Sequence, residues 1–195
     1  MKFINDFTRL LFFASAHEDA RFSLHCVPLV TKGLFEHAYG RFSARVKVPA
    51  GQGMWPAFWM LGNDIGSAGW PGCGEIDILE VVGKDPTHIH GTIHGPGYSG
   101  GQGISASFQT AGNAADAFHV VTAEWEKDTI RFYVDDSLYA TRTAAELQGK
   151  KWVFDHDFFM LLNLAVGGQW PGDPDGSTKF PAELLVDWVR VYKKG

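Results

Sequence analysis

The chain has 195 residues, 45% of them hydrophobic and 14% aromatic, enough for one domain with a packed core and too apolar for a disordered chain. Its formal net charge of −5 removes the electrostatic basis for binding nucleic acid or an anionic membrane, since both attract basic surfaces. No run approaches the ~20 apolar residues of a membrane helix. The 23 glycines and 7 tryptophans point to many tight turns and to a site with flat apolar faces, which suit sugars.

At the N-terminus, Lys2 and the apolar "LLFFASA" loosely imitate a signal peptide, but Asn5, Asp6 and Arg9 interrupt it. Cys26 and Cys73 cannot define a disulfide framework, and two buried free thiols are expected. Beyond them, short alternating runs bounded by Gly, Pro or Asp predict strands within residues 39–48, 54–61, 73–83, 87–94, 118–125, 129–135, 157–166 and 184–193. Two hairpins are expected to turn at Lys127 and Asp128 and at Asp135 and Asp136. Only residues 143–150 suit a short helix. With no repeat and no linker, the pattern predicts a single antiparallel sandwich.

Long glycine-rich loops at 62–74, 95–114 and 167–180 interrupt the strands, and loops of that length are usually functional or disordered. They carry Asn63 and Trp70, Tyr98 and Gln102, and Gln169 and Trp170 as groups a ligand could use. Trp70 sits where packing demand is low and reach is high, which favours stacking on a sugar. Trp59 suits either core or cleft. Trp125 and Trp188 are assigned to the core. Asn163 interrupts an apolar strand between Leu162 and Leu164, so it points to the opposite face from them.

The segment "CGEIDILEVVG", residues 73–83, places three acids in an otherwise buried strand. Glu75 and Asp77 share one face by alternation, with Ile76 and Ile78 on the other. Strict alternation would then bury Glu80 among the isoleucines, at a cost of several kcal/mol for an unpaired carboxylate. One extra residue, a β-bulge near Ile78 and Leu79, returns Glu80 to the face of Glu75 and Asp77. Three carboxyls on one face raise the pKa of at least one of them, which makes an acid and a base from one residue type, as glycoside hydrolysis requires. A solvated acidic strand or a calcium site is the alternative. A zinc site from His88, His90 and His94 is a weaker one, because the acids that would order it belong to the more specific motif.

"GEIDILE", with "GMWPAFWMLG", "GWPGC", "TIHGPGYSG", "LLNLAVGGQWPGDPD" and "VDWVRVY", resembles glycoside hydrolase family sixteen, and within it the bacterial laminarinases. The likeness runs through roughly residues 28–195, taken as the catalytic domain, while residues 1–27 do not match. The resemblance implies an all-β jelly-roll sandwich of two curved antiparallel sheets with the substrate along the concave one. It implies Glu75 as nucleophile, Glu80 as general acid/base and Asp77 as the neighbour that tunes the nucleophile. It also implies His94 and Asn163 as cleft residues, with His88 and His90 as structural or surface groups, and the loop and strand positions add Trp59, Asn63, Trp70 and Trp170 as substrate-binding candidates. The expected activity is retaining endo-hydrolysis of β-1,3-glucan by a secreted or periplasmic monomer without a catalytic cofactor. A non-catalytic carbohydrate-binding relative is the alternative, as is the same chemistry on mixed-linkage glucan, agar or carrageenan.

Three departures accompany the resemblance. The family's first strands have no match in residues 1–27, which predicts a sheet edge left open. The arginine the family carries four residues before its "TKG" lysine is Pro28 here. Asp187 matches a calcium carboxylate whose partners would come from the unmatched segment, so a structural calcium there stays an open option.

Overall fold

The computed structural model describes residues 2–14 and 28–193. In chain order, the first strands are β1 (Lys2–Ala14), β2 (Leu29–Val30), β3 (Glu36–His37), β4 (Gly40–Lys47), β5 (Met54–Gly62), β6 (Glu75–Val82) and β7 (Asp85–His94). They continue with β8 (Ile104–Gln109), β9 (His119–Glu126), β10 (Thr129–Val134), β11 (Ser137–Thr143), β12 (Phe158–Val166) and β13 (Ala182–Lys193). A single turn of helix, α1 (Ile65–Ala68), lies in the loop before β6.

These strands form two antiparallel sheets, in the orders β1-β13-β4-β9-β10-β11 and β2-β12-β5-β6-β7-β8, with β3 also paired to β12. Alternation explains the layering. Phe42, Ala44 and Val46 of β4, Val121, Ala123 and Trp125 of β9, and Ile130, Phe132 and Val134 of β10 turn inward from the first sheet. Phe58 and Met60 of β5, Ile76 and Leu79 of β6, Ile93 of β7 and Phe158, Met160, Leu162 and Leu164 of β12 meet them from the second. Each large apolar side chain so buried contributes about 1.5–3 kcal/mol, and the jelly-roll sandwich rests on this layer. Both hairpins turn where expected, and Asp135 and Asp136 both take positive φ (48° and 66°), as a two-residue hairpin turn of this hand requires.

Three expectations are corrected and a fourth is refined. The edge of β13 is not open: β1 runs antiparallel to it from the Lys2–Lys193 pair to the Ala14–Ala182 pair, an apolar, aromatic-rich run using its strand propensity. Trp188 is not core. A bulge in the β13–β4 ladder between Val186 and Trp188 moves the inward set from Val186 to Val189 and Val191, and Trp188 carries the Arg190 guanidinium 4.5 Å from its ring centroid. Tyr98 is not a cleft group; it is 1% exposed and donates its hydroxyl to the Lys151 carbonyl. Residues 143–150 make a 3₁₀ turn over Ala144–Leu147, held by a capping box between Thr143 and Glu146. Cys73 is a free buried thiol, and Cys26 lies outside the described residues.

Candidate active site

The outward face of the second sheet carries the acids. In β6 the ladder to β5 pairs Asp77 with Trp59 and Leu79 with Phe58, and the ladder to β7 pairs Asp77 with Thr92 and Glu80 with His90. One residue, Ile78, is therefore extra, which is the bulge the acid spacing demanded. Glu75, Asp77 and Glu80 consequently share a face, while Ile76, Ile78 and Leu79 are buried beneath it.

Each glutamate receives one indole N–H. Trp70 donates to Glu75 Oε2 at 2.6 Å and Trp55 donates to Glu80 Oε1 at 3.0 Å. Between them Asp77 is 3% exposed. Burial, then the charge of Glu75 and a side-chain hydrogen bond shared with it, hold its pKa well above the carboxylate range, so the neutral acid is favoured. Burial is also the main reason that Glu80 is pushed up to about 8, with Asp77 adding to it and the Trp55 donation opposing it. Sequence reasoning credited repulsion among the acids; desolvation is the larger cause.

His94 stands opposite Glu75 in the β6–β7 ladder. Its Nε2 is 3.1 Å from Asp77 Oδ2 and 3.9 Å from Glu75 Oε1, without hydrogen-bond alignment to Asp77. Gly103 presses on the other side of this ring, so that a side chain there would strike His94 Cε1. Trp59 donates to Asn163 Oδ1 at 2.7 Å, which sets both on the open face beside the acids. Trp70 is 49% and Trp170 37% exposed. Asn63 lies at the end of β5 beyond Leu61 and donates to Glu36 Oε2 at 3.0 Å. Lys32 sits 5.4 Å from the ring centroid of Phe159, another residue of this face.

Two further residues of this face were not read as part of the acid site from the sequence. Trp55 lies inside a strand-like run, and nothing local reveals that its N–H meets an acid 25 positions away. His90 was expected to be structural or superficial, yet it pairs with Glu80 across the ladder and packs on Trp170 at 5.2 Å. The even spacing of the histidines did place it on this face.

Metal chemistry fits poorly. Among the described residues, Glu75, Asp77 and His94 are the one grouping whose donor atoms converge, within 4.8 Å; the hydrogen bond between the two acids already accounts for their approach, and His88 and His90 stand outside it. Asp187 lies away from the acids, on β13, and accepts from Arg45 Nη1 at 2.8 Å. Among the described residues, the guanidinium in contact with that carboxylate opposes a calcium ion there.

A neutralised acid between two indole-held glutamates, on the open face of a jelly roll, is the kind of carboxyl arrangement that glycoside hydrolysis uses. The chain belongs to glycosyl hydrolases family 16, whose model matches residues 25–190. It is 44% identical over 178 residues to a beta-glucanase of Rhodothermus marinus, covering 85% of this chain and 61% of that protein. The chain thus spans about three fifths of that relative's length. The laminarinase catalytic domain of Thermotoga maritima superposes with a TM-score of 0.92 at 43% identity, covering 96% of this chain and 78% of that one. The endo-beta-1,3-glucanase of Pyrococcus furiosus gives 0.90 at 45% identity, with coverages of 95% and 74%. Among the described residues, no helix is long and apolar enough to cross a membrane.

Proposed function

We propose that the chain is a retaining endo-hydrolase of β-1,3-glucan, with residues 28–195 as its catalytic unit. The observation that carries the reading is the pair of unlike glutamates on one face. Glu80 is pushed up to about 8 and so holds its proton near neutrality, and Glu75 is aligned by the Trp70 N–H. The carboxylate of Glu75 attacks the anomeric carbon as Glu80 delivers its proton to the glycosidic oxygen, and the leaving chain departs as an alcohol. Glu80, now ionised, takes a proton from water, which displaces Glu75 from the glycosyl-enzyme. Asp77, kept neutral by burial, donates to Glu75 and orients it through both steps. Trp59, Asn63, Trp70, His94 and Trp170 supply the apolar and hydrogen-bonding contacts to the sugars, with Asn63 at the margin of this surface.

The similarity to a beta-glucanase and to two β-1,3-glucan-cleaving enzymes supports β-1,3-glucan over other polymers. The test is incubation of the protein with laminarin, lichenan and agarose, following reducing ends, polymer size and the first product anomer by proton NMR. A rapid fall in laminarin size with the β-anomer first is expected. Binding without cleavage would make the chain a carbohydrate-binding relative, and a first α-anomer would remove Glu75 as nucleophile.

A further inference from the structure

Trp55 is the tryptophan of the open face that reaches Glu80, and it is held on more than one side. Its N–H points at Glu80 Oε1, 3.0 Å away. The Trp170 ring meets its ring at 88° with centroids 5.6 Å apart. His90 then packs on Trp170 at 66° and 5.2 Å, and His90 is itself the cross-strand partner of Glu80. Glu80, Trp55, Trp170 and His90 therefore form a chain of contacts whose two ends are neighbours in the β6–β7 ladder.

The loop bearing Trp170 is stitched to the backbone just ahead of Trp55. Gln52 Nε2 donates to the carbonyls of Pro171 and Asp173 at 2.9 and 3.1 Å, and the Gly167 N–H donates to the Gly53 carbonyl at 2.8 Å. The turn before β5 thus sets the indole and its backstop together. Aromatic pairs at such distances and tilts are favourable contacts, and a planar side chain with two torsions loses little entropy when so confined.

We propose that Trp55 is a positioning residue for Glu80, fixing which carboxyl oxygen carries the transferred proton. This rests on the reading of Glu80 as the acid/base. An N–H directed at Oε1 favours the carbonyl form of that oxygen, which accepts better than a hydroxyl oxygen, so the acid proton resides on Oε2. Rotation of the carboxyl would break the bond to Trp55, and the backstop of Trp170 prevents the indole from following. The titratable groups facing Glu80 are Asp77 and Glu75 from β6 and His94 and His90 from β7, and β5 presents none. The indole therefore acts on Glu80 through a directed dipole and not through a charge.

The test compares wild type with Trp55→Phe, which keeps a ring in place and removes the donor. Two substrates are used: laminarin, whose leaving sugar must be protonated, and a dinitrophenyl β-glucoside oligomer, whose leaving group needs no proton. For Trp55→Phe, kcat/KM on laminarin should fall roughly 10- to 100-fold with KM little changed, while kcat/KM on the activated substrate should stay within about threefold. Loss of a hydrogen bond to the ionised form should raise the alkaline limb of kcat/KM by about one pH unit. Carboxyl carbon NMR of Glu80 in the substrate-free protein should show the same shift. Equal loss on both substrates, or an unmoved Glu80 titration, would overturn the proposal. Should wild type fail to cleave laminarin, the assignment of function falls, while the Glu80 titration still decides whether Trp55 holds this carboxyl. Should Trp55→Phe not fold, Trp170→Ala keeps the donor and removes its backstop; a smaller upward shift of the Glu80 titration supports the proposal, and no shift overturns it.

Discussion

The two sheets present outward faces of the same kind and treat charge in opposite ways. On the first, acids are matched by cations: Arg41 bridges Glu124 and Asp136 at 3.1 and 3.2 Å, Arg131 meets Glu126 at 2.9 Å and Arg45 meets Asp187 at 2.8 Å. On the second, Glu75, Asp77 and Glu80 lie within one strand, and among the described residues no lysine or arginine pairs with any of them. Indole N–H groups, a histidine and a shared proton take the place of cations. Paired surface charges contribute little to stability and little to chemistry. Carboxyls kept from cations while being half-buried hold protons at unusual pH, and that is the condition for acid/base work.

The contrast breaks most severely where the acids themselves are removed. Glu75→Ala should lower laminarin hydrolysis by about 10⁴-fold or more, measured as reducing ends. Glu80→Ala should lower it by roughly 10²–10⁴-fold while still forming the covalent intermediate from an activated glycoside, and added azide should release a β-azide. A Glu80→Ala variant that no added anion accelerates would count against Glu80 as the acid/base.

A smaller effect concerns stability. Glu80 is raised from 4.5 to about 8 by folding. Below about pH 4.5 it is protonated in both states and contributes no pH dependence. Between there and pH 8 the unfolded chain releases this proton while the folded chain keeps it, so stability falls as pH rises. Glu80→Gln should therefore gain on wild type across that window, reaching on the order of a few kcal/mol above pH 8. Urea unfolding at pH 4, 6 and 8 checks this, and a constant difference between the two proteins would contradict it.

Giving the second sheet what the first possesses sharpens the comparison. His90→Arg would set a guanidinium across the ladder from Glu80. The Glu80 pKa should drop toward the ordinary carboxylate range, moving the alkaline limb of kcat/KM down by one unit or more and reducing activity at pH 7 about tenfold. The mildest change is Arg41→Ala on the first sheet. Its ion pairs are partly exposed, so the expected cost is about 1 kcal/mol or less, a shift of about 2–4 °C in Tm at most, with hydrolysis unchanged.

The sandwich, the hairpin turns and the acid face were legible because each follows from alternation and turn chemistry, which act over a few residues. The bulge in β6 was readable for the same reason: three acids at this spacing admit a common face only with one residue extra. A second bulge, in β13, went unread and misplaced Trp188, since no charge there marked the change of register. What alternation cannot supply is partnership across strands. It put His90 on the open face without revealing that Glu80 and Trp170 were its neighbours, and it offered no route from Trp55 to Glu80, because loop conformation and ladder register settle those contacts. Tyr98 failed differently: its loop folds back, with Gly95 and Tyr98 bonded to each other, and carries the ring into the core.

The extra residue in β6 has a consequence for changes in chain length. In a regular sheet, losing one residue exchanges the two faces of everything that follows. Without Ile78, however, Glu75, Asp77 and Glu80 would fall at uniform two-residue steps, Leu79 would take the vacated inward place, and Val81 would keep its own. The acid row could lose a residue and remain an acid row; only the curvature of the strand and the separation of its carboxyls would alter. A single-residue deletion at this point is thus a route by which evolution can vary the geometry of such a site without refolding the sheet that bears it.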